Sequence, residues 1–468
     1  MNNKLLWFRQ DLRITDNTAL AVAAEDPSAC LYGLFIATPG QWHQHDMAAV
    51  RENFIRQHVS ALRDSLSKIN IPLLYIEVDN FLAIPDVFNN LIEKYGFCDI
   101  YANHEYGWNE KQRDTAVHNS LAARNCHFHR FHDQPMLAPG LITKTGKPYS
   151  VFTPFKKNWM EKWRRLRPLL RRTPTLRVLP PTIPSEVMTE SASWPETSAW
   201  EIGEVAAIRK LNEFCRERIE DYKSQRDIPA LDSTSYLSPW LAAGVISPRQ
   251  CLEAALEANK GRLSGGQEGI DTWISELIWR DFYIHILDSF PQVSKNRAFK
   301  IKTEKIRWRD SDEDFNAWCE GRTGIPIVDA AMRQLRQKGW MHNRLRMIVA
   351  MFLSKQLLID WRRGERYFMQ HLIDGHLASN NGGWQWAAST GTDAVPYFRI
   401  FNPVTQSQRF DPNGDFIKQY IPELAAISGK DIHLPKPSVR AAFAPDYPTP
   451  IVDLKLGRER ALSTFAAL

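Results

Sequence analysis

Three stretches of this 468-residue chain hold residue types that an ordinary core or surface does not need. In DTWISELIWRDFYIHIL (271–287), Glu276, Trp279, Arg280 and Tyr283 follow i, i+3, i+4, i+7 spacing and share one helix face. A carboxylate between two aromatic rings loses water and is biased to its protonated form, which can donate a hydrogen bond. The same residues also admit a plain Glu276–Arg280 pair on a surface helix. In WMHNRLRMIVAMFLSK (340–355), Leu345, Ile348, Val349 and Phe352 form the core stripe. Asn343 and Met347 lie nearly opposite, with Trp340 and Ala350 close by and Arg346 flanking. That face is either a second packing contact or the wall of a mostly apolar ligand pocket. In NNGGWQWAASTGTDAVPYFRIFNP (380–403), Trp384 and Trp386 flank one glutamine before a run of small residues. The pattern fits neither a regular helix nor a strand, and AASTGT reads as room for a ring system. Together the three stretches point to a large planar ligand. A weaker signal lies in QRDIPALDSTSYLSPWLAAG (225–244), where Thr234, Ser235 and Ser238 surround a helix start. Such hydroxyls serve either as plain N-caps or as phosphate ligands.

These side chains need scaffolds, and the chain supplies two kinds. Over residues 1–135, KLLWF, CLYGLFIAT, IPLLYIEV, CDIYANHEY and HFHRF read as short apolar strands. Helical spacing fills MAAVRENFIRQHVSALRDSLSKI, FLAIPDVFNNLIEKYG and NEKQRDTAVHNSLAARN between them. Strand–helix alternation predicts a Rossmann-like α/β domain with a parallel sheet covered on both faces. WFRQDLR follows the first strand in place of GxGxxG, so no dinucleotide is expected on that turn. Residues 136–200 are expected to link this domain to the next, the proline-rich part beginning near 166. From 201 to 468 the strand signals vanish and amphipathic helices follow one another, so the second domain is expected to be all-helical.

Composition narrows the class. Apolar residues make up 44% and charged residues 24%, as in a soluble globular protein. The net charge is only +6, yet residues 295–309 carry seven Lys/Arg against one Glu, a concentration suited to a phosphate backbone. Eight of the sixteen tryptophans fall between Trp273 and Trp386. The six cysteines form no CxxC pair, so neither a metal site nor a disulfide framework is expected. No run approaches a membrane span and the N-terminus has no signal pattern, which places the protein in the cytoplasm by default.

The motifs LLWFRQDLRITDNTAL, STSYLS, ELIWRDFY, GRTGIPIVDAAMRQLRQKGWMHNRLRMIVAMFL and NNGGWQWAASTGTDAVPYFRIFNP resemble the photolyase/cryptochrome family. Within it they are most similar to the bacterial, folate-containing (class I) photolyases of cyclobutane pyrimidine dimers. The resemblance covers essentially the whole chain and implies an α/β antenna domain, a linker and a helical FAD domain. It implies light-driven DNA repair: reduced FAD, excited by blue light, passes an electron to a flipped-out dimer. Tyr222, Thr234, Ser235, Tyr236, Leu237 and Ser238 then match positions around the FAD phosphates and ribityl chain. Trp273, Arg280, Trp340, Arg346, Asp374, Gly375, His376 and Asn380 match its remaining lining, with Asn380 beside flavin N5. Glu276, Trp279, Asn343, Met347 and Trp386 match the lesion pocket. Arg226, Tyr283, Arg344, Arg399 and Gln406 match DNA contacts. Trp384, Trp361 and Trp308 match an electron relay to the surface. His45, Asn109, Glu110 and Lys295 match the site of a 5,10-methenyltetrahydrofolate antenna. The implied partner is UV-damaged DNA, met by a monomer without a metal.

Two positions depart from the family pattern. His376 stands where a second Asp is usual, and Ser294 replaces a cysteine beside the antenna lysine. The alternative reading is a cryptochrome, a flavin photoreceptor on the same fold without repair. Repair of (6-4) photoproducts would call for pocket histidines, which Asn343 and Met347 do not match. A tryptophan-rich nucleic-acid-binding module without cofactor would be colourless.

Overall fold

The structure, a computed structural model, describes residues 3–177 and 200–468. The chain forms two compact units, Met1–Glu220 with Ser235–Pro291, and Asp221–Thr234 with Gln292–Leu468.

In the first unit the five apolar runs form strands β1 (Asn3–Phe8), β2 (Cys30–Ala37), β3 (Leu73–Glu77), β4 (Asp99–Asn103) and β5 (His127–Phe131). All pair in parallel, in the order β3-β2-β1-β4-β5. Every residue of β2 is buried, as expected of a strand packed on both faces. The helices Thr18–Ala23, Ala49–Ser67, Ile84–Tyr95 and Trp108–Ala122 provide the crossovers.

The stretch expected to be linker holds a helix, Phe152–Leu166, for which no pattern was predicted. Its signal is nonetheless present: Phe152, Phe155, Trp159, Met160 and Trp163 recur at helical spacing, and all are buried. The most proline-rich part, 178–199, lies outside the described residues. The Phe152–Leu166 helix packs on the long helix Glu268–Ser289 through Phe155–Phe282 and Phe155–His285 ring contacts at 5.1 and 5.0 Å. Trp159 Nε1 donates to Asp281 at 2.9 Å.

A buried ion cluster joins distant parts of this unit. Asp133 accepts from Arg249 Nη2 at 2.7 Å, from Thr18 Oγ1 at 2.7 Å and from Arg13. Burial alone would raise the Asp133 pKa, but Arg13 and Arg249 hold it well below the usual carboxylate range. Arg249 also pairs with Asp16, whose carboxylate accepts from Ser247 Oγ at 2.5 Å.

The second unit contains helices and no strand among the described residues, so the α/β plus all-helical organisation expected from sequence is the one adopted. Its core gathers Trp318, Trp361, Trp384, Leu345, Ile348, Val349 and Phe352. The predicted stripe of the 340–355 stretch therefore does face inward. Its helix runs from Asn343 to Met351, capped by His342, and continues as a π-turn over Phe352–Gln356.

Candidate functional site

In the first unit, the half-buried face predicted on the Glu268–Ser289 helix is present: Glu276, Trp279, Arg280 and Tyr283 are all partly exposed. Trp279 lies flat on Phe152, with ring centroids 3.7 Å apart and planes 9° from parallel, and the Tyr283 ring packs against it, tilted, at 5.6 Å. Arg280 donates to the carbonyls of Gln134 at 2.7 Å and Leu241 at 3.4 Å. Burial lowers its pKa against the pull of Asp281. Trp273 turns the other way, into the core against Phe214 at 5.1 Å.

Ahead of the short helix Ser238–Ala243, Tyr236 adopts a left-handed φ of 55°. The N-cap position is Leu237, which has no capping oxygen, while Ser235 Oγ accepts from Leu237 N at 3.4 Å. Plain N-capping by the serines is thus not what this segment does.

The predicted antenna residues of this unit converge. His45 Nε2 lies 2.9 Å from Asn109 Nδ2 and 3.0 Å from Gln41 Nε2, and its Nδ1 lies 3.6 Å from Glu110. Two amide donors on Nε2 assign the proton to Nδ1, towards the carboxylate. Burial raises the Glu110 pKa, Glu105 adds to this, and His45 opposes it. The predicted Lys295 belongs to the second unit, at the end of the 3₁₀ turn Val293–Lys295, and is exposed.

In the second unit, Arg346 pairs with Asp374 at 2.8 Å and donates through Nε to the Met341 carbonyl. Arg344 pairs with Asp227 at 2.7 Å and lies over the Phe410 ring. Asn343 is exposed and Met347 half-buried, while Trp340 is buried and edge-on to His342. Arg226 covers the ring of buried Tyr222 at 5.2 Å. Arg399 is exposed beside Tyr397 and Phe398. Asn380 Nδ2 donates to the Glu365 carbonyl at 3.0 Å, and its backbone N–H bonds the carbonyl of His376 at 2.8 Å. His376 Nδ1 lies 3.1 Å from Ser379 Oγ, and Gly375 precedes it, buried.

The 380–403 stretch departs from expectation. Leu377–Ala387 is an α-helix despite Gly382 and Gly383. Tertiary packing outweighs the roughly 1 kcal/mol that each glycine costs in a helix. Trp384 is wedged edge-on against Phe368 at 5.0 Å and Trp318 at 6.0 Å, and Asn381 bridges Glu365 and Gln385. The small run that follows leaves no space for a ring. Ala387, Ala388, Ser389 and Thr390 are buried, and a Cβ on Gly391 would come within 2.7 Å of Gln385 Cβ. These residues are small because protein packs against them. Trp361 and Trp384 lie in one core cluster, and half-buried Trp308 packs against its edge. Trp318, which the sequence reading did not single out, stands in the same cluster with its Nε1 bonded to the Val349 carbonyl.

Two family models match the chain. Residues 4–176 match the DNA photolyase model, and residues 273–467 match the FAD binding domain of DNA photolyase. The chain belongs to the DNA photolyase family. Deoxyribodipyrimidine photo-lyases of Salmonella typhimurium and Escherichia coli are 46% and 45% identical to it, each over 100% of this chain and 99% of the relative. Among solved structures, a class III photolyase from Agrobacterium tumefaciens shares 34% identity at a TM-score of 0.88, covering 100% of this chain and 98% of its own. A cryptochrome from Synechocystis shares 29% at the same TM-score, covering 99% of each chain. The region matched by the FAD-binding model is helical, and residues of the second unit suit that group. Thr234 Oγ1, Asp374 Oδ1 and Gln406 Oε1 are buried without a partner among the described residues. Orphaned buried acceptors are costly, at about 1–3 kcal/mol each, unless a ligand rich in donors meets them. The adenine, ribose and flavin of FAD offer such donors.

Proposed function

We propose that this photolyase reverses cyclobutane pyrimidine dimers in UV-damaged DNA, in the bacterial cytosol, driven by light. The observation that carries the reading is the half-buried face of the Glu268–Ser289 helix, where a carboxylate stands beside a tryptophan held flat. When bound, reduced FAD excited by blue light supplies the electron that opens the cyclobutane ring. Every other task falls to the chain. Glu276 hydrogen-bonds the carbonyls of the flipped-out dimer and holds the negative charge that develops there. Trp279, fixed by Phe152, gives the dimer a flat apolar wall. Asn343, Met347 and Trp386 take lesion-contacting roles in the second unit. Arg226, Tyr283, Arg344, Arg399 and Gln406 contact the DNA strand, which makes binding salt-dependent.

Tyr222, Thr234 and the Ser235–Ser238 turn hold the phosphates and ribityl chain of FAD. Trp273, Arg280, Trp340, Arg346, Asp374, Gly375, His376 and Asn380 hold the remainder. Trp308, Trp361 and Trp384 give an electron a path from the solvent edge into the core. His45, Asn109, Glu110 and Lys295 bind a folate second chromophore that harvests light, the cluster of the first three being preformed.

The test is to illuminate the reduced protein with dimer-containing DNA and score recovery of pyrimidine monomers. Recovery under light and none in the dark is expected. A yellow protein that absorbs light without restoring monomers would instead be a photoreceptor of the cryptochrome kind.

A further inference from the structure

The Phe152–Leu166 helix has no part in the function above beyond the Phe152 ring, yet its first turns flank the Glu276 face. Phe155 and Trp159 lock the helix onto the Glu268–Ser289 helix through ring contacts and the bond to Asp281. The two side chains that emerge beside Glu276 and Trp279 are therefore held in fixed positions. Phe152 covers the Trp279 ring. One turn on, Lys156 donates to Ser275 Oγ, whose own proton goes to the Asp271 carbonyl at 2.9 Å. The hydroxyl is thereby committed as an acceptor, and two ammonium protons of Lys156 are left over.

Lys156 is half-buried, and among the described residues it makes no ion pair. Asp271 and Glu276 act on its charge only from a distance, and Asp271 is already engaged by Asn259 Nδ2, Gly265 N and Gly266 N. Burial is the larger influence and lowers the Lys156 pKa. A partly desolvated ammonium that is short of acceptors is completed by an anion. On a face that takes a flipped-out nucleotide pair, the anion delivered with the base is its phosphodiester.

We propose that Lys156 binds a backbone phosphate of the flipped-out dimer, and that Phe152 sets the plane of the Trp279 wall against which the dimer rests. The inference rests on the repair reading and deepens it. The contact forms only once the dimer has left the stack, so it belongs to lesion recognition and not to general DNA affinity.

The experiment measures salt-dependent binding of single-stranded DNA, with and without one dimer, to the flavin-loaded protein. In Lys156→Ala, affinity for dimer DNA should fall about tenfold, and the slope of log K against log salt should shrink by about 0.7, the value of one phosphate contact on a single strand. Binding of undamaged DNA should keep its slope. Lys156→Arg should keep the wild-type slope on both. Phe152→Leu should weaken dimer binding several-fold at unchanged slope. A wild-type slope on dimer DNA in Lys156→Ala overturns the inference while leaving the repair reading intact. So does an equal loss of slope on undamaged DNA. A wild-type protein that does not prefer dimer DNA overturns the repair reading and this inference with it.

Discussion

Trp384 and Trp386 stand two residues apart on a helix, so about 200° separates their directions. One is buried against Phe368 and Trp318, and the other is half-buried. This geometry lets the two rings take the separate roles proposed for them. Trp384→Phe is expected to block photoreduction of oxidised flavin while leaving repair by chemically reduced protein nearly intact. Equal loss of both activities would remove Trp384 from the relay. Glu276→Ala is expected to lower the repair quantum yield, since the charge on the dimer loses its hydrogen bond; removing one such donor costs roughly 2.7–4 kcal/mol in acyl-transfer enzymes. An unchanged yield in single-turnover flashes would take Glu276 out of the mechanism. Glu276, Trp279, Arg280 and Tyr283 were legible as one face because helical spacing alone fixes which residues share it. Their partners were not. Phe152 lies 127 residues before Trp279, and no local pattern links the two.

The helices hold these residues by close packing that small changes disturb. Gly364, on the Trp361–Met369 helix, faces the Trp384 ring, and a Cβ there would come within 2.2 Å of Cη2 and 2.5 Å of Cζ3. Gly364→Ala is expected to destabilise the protein by about 1–3 kcal/mol through overpacking. It should also slow flavin photoreduction, because Trp384 must shift. A variant with wild-type melting temperature and photoreduction would show that the ring can yield freely. In the first unit, Asp133 is the anchor between the end of the sheet and the Pro248–Ala258 helix. Asp133→Ala leaves Arg13 and Arg249 buried without their shared partner, a loss of about 3–5 kcal/mol in comparable buried pairs. Thermal unfolding checks it, and a change below 1 kcal/mol would contradict the anchor role. The five strands and the helices between them were legible because apolar runs and helical periodicity are local. The Phe152–Leu166 helix was overlooked because a proline-rich tail follows it and its basic residues mask the apolar stripe.

For the molecule as a whole, buried and half-buried histidines set the response to acid. Burial holds His58, His104, His285 and His342 at a pKa of about 4. The folded values lie below the unfolded one of about 6.5, so the unfolded chain binds protons first as pH falls. Stability present above pH 6.5 is therefore lost towards pH 4. His132, His371 and His433, also lowered by burial, add to this; Asp281 and Asp329, pushed up to about 6 by burial, and Asp11, Glu110 and Asp411, raised by it, act in the opposite sense but are outnumbered. The melting temperature should fall between pH 7.5 and pH 5, less steeply in His58→Leu; a rise over that range would refute the assignment. The basic stretch 295–309 keeps Lys295, Arg297, Lys300, Lys302, Lys305 and Arg307 exposed, while Arg309 pairs with Asp314. Neutralising the exposed six should flatten the salt dependence of DNA binding. An unchanged slope would give that patch another role.

The sequence by itself determined the class of the fold, the inward stripe of the Asn343 helix and the polar–aromatic face that carries Glu276. Each depends only on spacing along a few turns, where backbone geometry converts sequence distance into direction. Tertiary structure alone decided that residues 377–387 would be helical and that the small run after Trp386 would be filled by protein. It alone brought Phe152 and Lys156 to the Glu276 face. Those outcomes depend on which distant side chains arrive to fill a volume or satisfy a charge, and such contacts leave no periodic trace in the chain.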